Sequence, residues 1–465
     1  MYRFLLLILT VLLTFASAQA KSKYRGQKMY VYRYYLTDKN GSSYTLDRPS
    51  KFLSPKSIER RKRQGLKVDS TDLPVSPELV NHFRVKGATV LGTSKWNNTV
   101  LVGARDTTLL QRLSQQPFIK EARMVFQSPD SIEGTGEPFR PAIHRQYNRW
   151  DSIHNDQMGT ARLQIEMIGG ERLHEIDLRG NGMTIAILDG GFLNTDILPC
   201  FSETHIMGTQ NFVSMSESDM IFDGIDHGTK VLSVMAAQAP EVILGTAPEA
   251  NYWLLRCEDP YTEMPIEEDY WAMAAEYADS VGVDIINSSL GYSEYDHNLG
   301  NYRLRDLDGQ STLISHSASM LADKGIVLCC SAGNSGMNHW KKITIPADAF
   351  DILTVGAVDH NKRNAAFSSV GPTQDGRVKP DVMALGSGIS LITGRGTLLR
   401  DMGTSFSTPV VCGLVACLWQ GLPHKTAREI IDLVRISSSQ FDTPDNIYGY
   451  GLPNFWQAYM IGQMK

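Results

Sequence analysis

The segment Met402–Gly413 contains the serine best placed for nucleophilic chemistry. A Gly-Thr-Ser turn ending at Ser405 leads into the apolar stretch Val410–Leu418, which is predicted to form a helix. A serine at such a turn exposes its hydroxyl beside the positive end of a helix, and this favours attack on a carbonyl and stabilisation of the resulting oxyanion. Taken alone, the same residues are typical of a helix N-cap. An esterase-type G-x-S-x-G elbow is disfavoured, because position 407 is serine.

Three other positions supply groups that a nucleophilic serine needs. Asp189 follows the apolar stretch Met183–Leu188, where a carboxylate can orient an imidazole and stabilise its cation. His227 begins a predicted helix, and Asn334 lies between glycines after a predicted buried strand, where its amide can donate to an oxyanion. Each residue alone is weak evidence, because Asp before Gly and Asn between glycines are common in turns. Along the chain they come in the order Asp, His, Asn, and then Ser405.

Together these segments resemble the subtilisin-like serine peptidases (subtilases), in which the catalytic residues follow the order Asp, His, Ser. The resemblance covers about residues 180–453, and its motifs are jointly specific. It is carried by the stretches Ala186–Gly191 (AILDGG), Asp226–Thr229 (DHGT), Ser288–Gly291 (SSLG), Ala332–Gly336 (AGNSG) and Gly403–Pro409 (GTSFSTP).

The resemblance implies a role for each matched residue. Ser405 is expected to be the nucleophile, His227 the general base and then acid, and Asp189 the residue that orients His227. The side chain of Asn334 and the backbone N–H of Ser405 are expected to form the oxyanion hole. A strand edge that pairs with an extended peptide is expected to bind substrate. The substrate-binding residues are expected to be Ser289, Leu290, Gly291 and Gly333.

Continuous apolar strands alternate with predicted helices from about Trp150 to the end of the chain. This pattern predicts an α/β domain, with a parallel sheet flanked by helices on both faces, as the resemblance to the subtilisin-like fold also implies. In such sheets ligands bind outside the carboxyl ends of the strands. The strands are expected at Met183–Leu188, Tyr252–Leu255, Val283–Asn287, Ile326–Cys330, Ile352–Val358 and Val382–Leu385, and helices at Thr229–Ala237, Pro265–Ser280 and Ser311–Lys324.

Residues 21–126 show a different order, β-α-α-β-β-α-β, which predicts a small α+β ferredoxin-like domain with one added helix. Its layout and position are similar to those of subtilase propeptides, which help to fold and block the catalytic domain. A binding module that stays attached is the alternative. The basic run Arg60–Arg63 is interpreted as a solvated face of the helix Ser54–Gly65, with a processing site as the alternative.

The sequence predicts a division of the chain into four regions. Residues 1–20 are predicted to be a secretory signal peptide, because Arg3 precedes the apolar stretch Phe4–Phe15 and small residues follow. Residues 21–126 form the propeptide-like domain, 127–149 a Pro/Gly-rich linker with the expected processing site, and 150–465 the catalytic domain. We therefore expect a secreted or periplasmic protein with no stable membrane insertion.

Net charge and cysteine spacing indicate which classes of partner and metal site are disfavoured. The net charge of −5 and pI near 6.1 argue against nucleic acid. The six cysteines contain no C-x-x-C pair, so a zinc site is disfavoured, and whether Cys200 and Cys257 form a disulfide is left open. No cofactor is expected for catalysis. Subtilases often hold structural calcium, but no calcium motif can be matched, and solvated loop carboxylates are the favoured interpretation of the candidates Asp296, Asp306 and Asp308.

The leading hypothesis is an exported serine endopeptidase, made as a zymogen, that hydrolyses peptide bonds through an acyl-enzyme intermediate. Its expected partners are protein or peptide substrates and its own propeptide as an inhibitor, and a monomer is expected. A catalytically inactive binding protein with the same fold is the alternative, and it is disfavoured because all four functional positions are intact. A secreted esterase is disfavoured, because the chain lacks the G-x-S-x-G motif at Ser405. A serine-carboxyl peptidase is also disfavoured, because it would not use His227 as its base.

Overall fold

The computed structural model describes residues 28–128, 158–213, 221–260 and 262–464. The predicted signal peptide, nearly all of the linker and the first residues of the predicted catalytic domain lie outside these ranges. In the part of the chain that the structure describes, no helix is both long and apolar enough to cross a bilayer.

The N-terminal region is a four-stranded antiparallel sheet packed against helices, and this confirms the ferredoxin-like prediction. In the sheet, the strands Tyr30–Leu36 and Thr99–Ala104 pair with each other at the centre, whereas Thr89–Ser94 and Ile119–Gln127 are the two edges. Ser54 begins the first helix, because its side chain accepts a hydrogen bond from the backbone N–H of Ser57. The elements are β1 (Tyr30–Leu36), α1 (Pro55–Arg63), α2 (Pro77–Val85), β2 (Thr89–Ser94), β3 (Thr99–Ala104), α3 (Thr107–Leu113) and β4 (Ile119–Gln127).

The C-terminal region is the predicted α/β domain, and each predicted strand is present. Its elements are α4 (Arg162–Glu166), α5 (Glu171–Glu175), β5 (Thr184–Asp189), β6 (His205–Asn211), α6 (His227–Ala236), β7 (Gln238–Ala239), β8 (Ile243–Leu244), β9 (Asn251–Arg256), α7 (Ile266–Val281), β10 (Ile285–Ser288), α8 (Leu313–Ser319), β11 (Val327–Ser331), β12 (Leu353–Val358), β13 (Val382–Leu385), β14 (Ser387–Ile392), β15 (Leu398–Met402), α9 (Thr404–Gly421), α10 (Ala427–Ile436) and α11 (Phe455–Met464).

Seven parallel strands form the main sheet, in the order β13-β12-β11-β10-β5-β9-β6. Alternate residues of β5 belong to two separate cores. Ile185 and Ile187 pack with α6 and α9 on one face, whereas Ala186 and Leu188 pack with α7 and α8 on the other. Helices therefore cover both faces, as predicted. The edge strand β6 was missed, because its sequence HIMGTQN is mostly polar and none of its residues is buried.

Helix α9 begins at Thr404, six residues before the predicted start, so that Ser405 lies in its first turn. Nearly every residue of this helix is buried, as is typical of a helix that is apolar on all sides. Gly413 allows the closest approach: a Cβ atom there would lie 1.9 Å from the Thr246 hydroxyl. The predicted helix Ser311–Lys324 is shorter, since α8 ends at Ser319 and a separate short turn follows.

The basic run in α1 is half-buried, so its interpretation as a solvated face was wrong for Arg60 and Arg61, whereas Lys62 and Arg63 are exposed. Arg60 and Arg61 are each only 2% exposed, and both form ion pairs with Asp279 on α7. Lys95 adds a third ion pair to this carboxylate, at 3.2 Å. Burial raises the pKa of Asp279, but the cations of Lys95, Arg60 and Arg61 hold it well below its ordinary value. The N-terminal domain is therefore docked on α7 through buried charge.

Two further carboxylates on α7 take part in the same contact. Arg33 on β1 donates to both carboxylate oxygens of Asp269, at 2.8 and 2.6 Å. Glu276 accepts hydrogen bonds from the backbone N–H groups of Lys95 and Trp96, at 2.8 and 3.0 Å. Apolar side chains of β1, β3 and β4 join the core around α7. Three acidic side chains of α7, Asp269, Glu276 and Asp279, thus have partners in the N-terminal domain.

We expect Arg60→Ala to lower the free energy of unfolding of the full-length chain by about 3 kcal/mol. This is the lower end of the cost of breaking a buried ion pair, because Arg61 and Lys95 remain beside Asp279. Denaturant unfolding measures the change, in a Ser405→Ala background that prevents cutting. Arg63→Ala is the matched control, since Arg63 is 39% exposed and its ion pair should contribute less than about 1 kcal/mol. Equal losses in the two variants would contradict a docking role for Arg60.

Candidate active site

Asp189 and His227 form a hydrogen-bonded pair at the carboxyl edge of the sheet. Asp189 is the last residue of β5 and is fully buried, whereas His227 begins α6 and its side chain remains 33% exposed. The Nδ1 atom of His227 lies 2.9 Å from both carboxylate oxygens of Asp189. Because a carboxylate accepts, Nδ1 carries the proton, and Nε2 is the nitrogen left to accept a proton from another group.

The environment of His227 favours its cationic form. Burial lowers the pKa of the imidazole, but the charge and hydrogen bond of Asp189 and the charge of Glu258 raise it, and the balance raises the pKa to about 9. Removing the proton from this imidazole therefore needs alkaline solution. The same pairing makes the ring a strong proton acceptor once it is neutral.

Ser405 lies beside His227 at the start of α9. Gly403 precedes the helix at φ 154°, a backbone conformation that side chains rarely adopt. The Ser405 hydroxyl donates to the carbonyl oxygen of Ser289 at 3.3 Å, and the Ser289 hydroxyl donates to the Ser405 carbonyl at 2.7 Å. The ring of Phe406 lies 5.7 Å from that of His227, measured between centroids. Hydroxyl and imidazole thus face the same cavity.

Asn334 is held in one orientation by Thr404. The Asn334 side-chain oxygen accepts from the backbone N–H of Thr404 at 2.9 Å and from its hydroxyl at 3.0 Å. A backbone N–H can only donate, so this end of the amide is the oxygen, and the NH₂ group is the end left for the cavity. Thr404 also accepts from the backbone N–H of Gly333 at 3.2 Å. One buried threonine therefore positions the whole turn.

A cavity of about 380 Å³ connects these groups. It is lined by His227, Asn334 and Ser405, by the four predicted substrate-binding residues, and by Glu258. The backbone N–H and C=O groups of Leu290 and Gly291 have no hydrogen-bond partner among the described residues. An extended peptide could pair with this free edge. The arrangement provides a hydroxyl, a base, an amide donor and a place for a peptide main chain.

The structure brings together every predicted site residue, listed as Asp189, His227, Ser289, Leu290, Gly291, Gly333, Asn334 and Ser405. Two contributors were missed. Thr404 stands inside the quoted motif, but its role depends on a partner 70 residues earlier in the chain. Glu258 is the first of two adjacent acidic residues after a strand, and only the fold shows that it faces the cavity.

The other candidates lie elsewhere or serve loop structure. Asp306 accepts from the backbone N–H of Arg303, and Asp308 accepts from two backbone N–H groups of its own turn. Both carboxylates thus stabilise the backbone of the loop before α8. Cys200 and Cys257 are both buried free thiols.

We expect the pKa of His227 to fall by at least about two units in Asp189→Asn. The substitution keeps the side-chain shape but removes the negative charge, so that burial again favours the neutral ring. NMR titration of the imidazole C–H signals in the Ser405→Ala chain measures this pKa. Asp306→Asn, a loop carboxylate far along the chain, should leave it unchanged. An unaltered His227 pKa in Asp189→Asn would show that another group holds the ring.

Two family profiles match this chain, one in each described domain. The profile "Peptidase S8 propeptide domain, Bacteroidota" matches residues 31–137, and the profile of the subtilase family matches residues 180–451. The first match covers the ferredoxin-like domain, and the second covers more than half of the chain, including the whole cavity.

Two proteases of Bacillus subtilis are similar to this chain. The chain is 28% identical to Subtilisin NAT of Bacillus subtilis subsp. natto over 315 residues, which is 67% of this chain and 74% of the relative. It is 28% identical to Serine protease AprX of Bacillus subtilis (strain 168) over 309 residues, 60% of this chain and 66% of the relative.

A solved structure shares the fold. It is entitled "Structure of Prenylagaramide maturation protease PagA", superposes with a TM-score of 0.50 at 22% identity, and covers 63% of this chain and 98% of its own. This likeness concerns the fold alone. The family profiles show that the chain belongs to the subtilase family of subtilisin-like serine peptidases and carries the propeptide domain of such a peptidase.

Proposed function

We propose that the protein is an exported endopeptidase, made as a zymogen, that cleaves peptide bonds through an acyl-enzyme on Ser405. The observation that carries this proposal is the convergence of His227, Ser405 and Asn334 on one cavity beside the free backbone edge at Leu290 and Gly291. Each group in that cavity matches one requirement of acyl transfer.

Attack begins when the Ser405 hydroxyl turns from the Ser289 carbonyl toward Nε2 of His227. Nε2 takes the hydroxyl proton as Oγ bonds to the substrate carbonyl carbon, and Asp189 stabilises the imidazolium that forms. Because the imidazole acts as a base only when neutral, its raised pKa implies that activity increases with pH up to about 9.

The tetrahedral intermediate carries a negative oxygen that needs donors. The NH₂ group of Asn334 and the backbone N–H of Ser405, in the first turn of α9, are placed to donate to it. His227 then gives its proton to the leaving amine, and the acyl group remains on Ser405. A water molecule repeats the sequence with His227 as base, and this releases the second product and restores the serine.

The zymogen part of the proposal rests on the docked N-terminal domain. Its last strand, β4, ends at Gln127, and Val125 and Phe126 pack into the core around α7. The chain then enters the Pro/Gly-rich linker, residues 127–149, which is the proposed processing segment between the propeptide (21–126) and the catalytic domain (150–465). Export rests on the predicted signal peptide, residues 1–20.

We expect Ser405→Ala to reduce peptidase activity by about 10⁶ without unfolding the chain, because no other group can form the acyl-enzyme. The precursor of this variant should also stay uncut in a protease-free host, since the same active site cuts the linker. Casein hydrolysis and N-terminal sequencing of the wild-type product are the measurements. Casein cleavage by the variant would reject the nucleophile, and an inactive wild-type protein would favour the binding-protein alternative. A mature N-terminus upstream of Phe118, or normal processing of the variant, would reject self-maturation.

We expect Asn334→Ala to lower kcat by about 10²–10³ with little change in KM, because the amide donates mainly to the oxyanion of the transition state. Steady-state kinetics on a peptide substrate separate the two constants. Asn361→Ala, at an exposed position, is the control and should behave as wild type. A change confined to KM would instead make Asn334 a substrate contact or a turn residue.

A further inference from the structure

Three glutamates meet beside the active-site cavity. Glu258 and Glu263 lie on the loop between β9 and α7, and Glu267 lies in the first turn of α7. One carboxylate oxygen of each lies within 4.8 Å of those of the other two. Glu258 also lines the cavity together with His227. We call Glu258, Glu263 and Glu267 the acidic triplet.

Glu267 is the member that needs an explanation. It is 0% exposed, and neither of its carboxylate oxygens has a hydrogen-bond partner. Buried carboxylates are normally paired with donors, cations or metal ions, because an isolated buried charge is costly. The side chain is directed at two other carboxylates, which makes its environment worse unless a positive charge lies between them.

The neighbours of the triplet reinforce this argument. Further carboxylates act on the triplet, since Asp189 lies near Glu258 and Asp296 lies near Glu263. The hydroxyl of Tyr292 is buried without a hydrogen-bond partner, and the charges of Glu267 and Glu258 act on it. The region is therefore rich in oxygen atoms that lack partners.

The donor set and its spacing select the kind of cation. Carboxylate and hydroxyl oxygens are ligands of hard cations, whereas zinc prefers nitrogen and sulfur. Mg²⁺ demands near-ideal octahedral geometry, keeps several waters and is usually held by one or two carboxylates, whereas Ca²⁺ accepts more protein oxygens in a flexible geometry. Three carboxylates that can reach one ion therefore fit Ca²⁺ better.

We propose that the acidic triplet binds a calcium ion, which ties the loop between β9 and α7 to the first turn of α7. Through Glu258 the ion supports one wall of the cavity. Through Glu263 it also supports the following loop, because the backbone N–H of Glu263 donates to Asp296 and that of Asp296 donates to the Glu263 carbonyl, at 3.0 and 2.8 Å. Calcium thus organises the part of the cavity wall that Glu258 lines, and this binding does not depend on peptidase activity.

The test uses the full-length Ser405→Ala chain, so that neither processing nor autolysis intervenes. Calcium binding is measured by isothermal titration, and Tb³⁺ luminescence excited through tyrosine reports a site near Tyr292. We expect one site in the parent chain, and at least a tenfold loss of affinity in Glu267→Gln, which keeps the shape and removes one charged ligand. Asp306→Asn, a loop carboxylate outside the triplet, should bind calcium as the parent does.

Glu263→Gln provides a second test if Glu267→Gln does not fold, because Glu263 is only half-buried and its substitution disturbs less of the core. A tenfold loss of affinity in that variant supports the site equally. Absence of calcium binding in the parent chain, or unchanged affinity in the triplet variants, overturns the proposal. If instead the processed enzyme prefers substrates with a lysine or arginine side chain and loses this preference in Glu267→Gln without binding calcium, the triplet is a subsite for substrate cations.

Discussion

The position of the first turn of α9 is the constraint on which the active site depends. This apolar helix is buried against the parallel sheet, so Thr404 and Ser405 are fixed where the strands β5, β10 and β11 end. From there Thr404 binds the oxygen of Asn334, which turns the NH₂ group of that amide toward the cavity. Apolar packing of the helix thereby fixes the orientation of the polar groups in the cavity before substrate binds.

The same low-polarity environment has opposite effects on neighbouring groups. It strengthens the bond between Asp189 and His227, because two opposite charges meet there with little water between them. It makes Glu258 and Glu267 costly, because like charges meet under the same conditions. A cation bound among the glutamates would place opposite charges together there as well. Attraction between buried opposite charges would then organise both parts of the cavity.

The sequence predicted those features that short motifs encode. Asp189, His227 and Asn334 stand at strand ends or helix starts, and local patterns of apolar residues and glycines reveal such places. Features that depend on a distant partner were missed or misinterpreted. Arg60 looks solvated in its own helix, because its buried ion-pair partner, Asp279, lies 219 residues later in the chain. The grouping of Glu258 with Glu267 likewise appears only when α7 is folded against its loop.

The contact between the N-terminal domain and α7 determines the net charge that this helix would show if that domain were removed. Asp269, Glu276 and Asp279 obtain hydrogen bonds or ion pairs from it, so the propeptide serves as the counter-ion of this helix. If the proposed maturation removes it, a surface of uncompensated negative charge is left on the mature enzyme. Such a surface repels a second acidic copy of the same enzyme and attracts a basic propeptide back. After the proposed maturation, the former docking site would therefore favour the approach of basic proteins to this face and disfavour that of acidic ones.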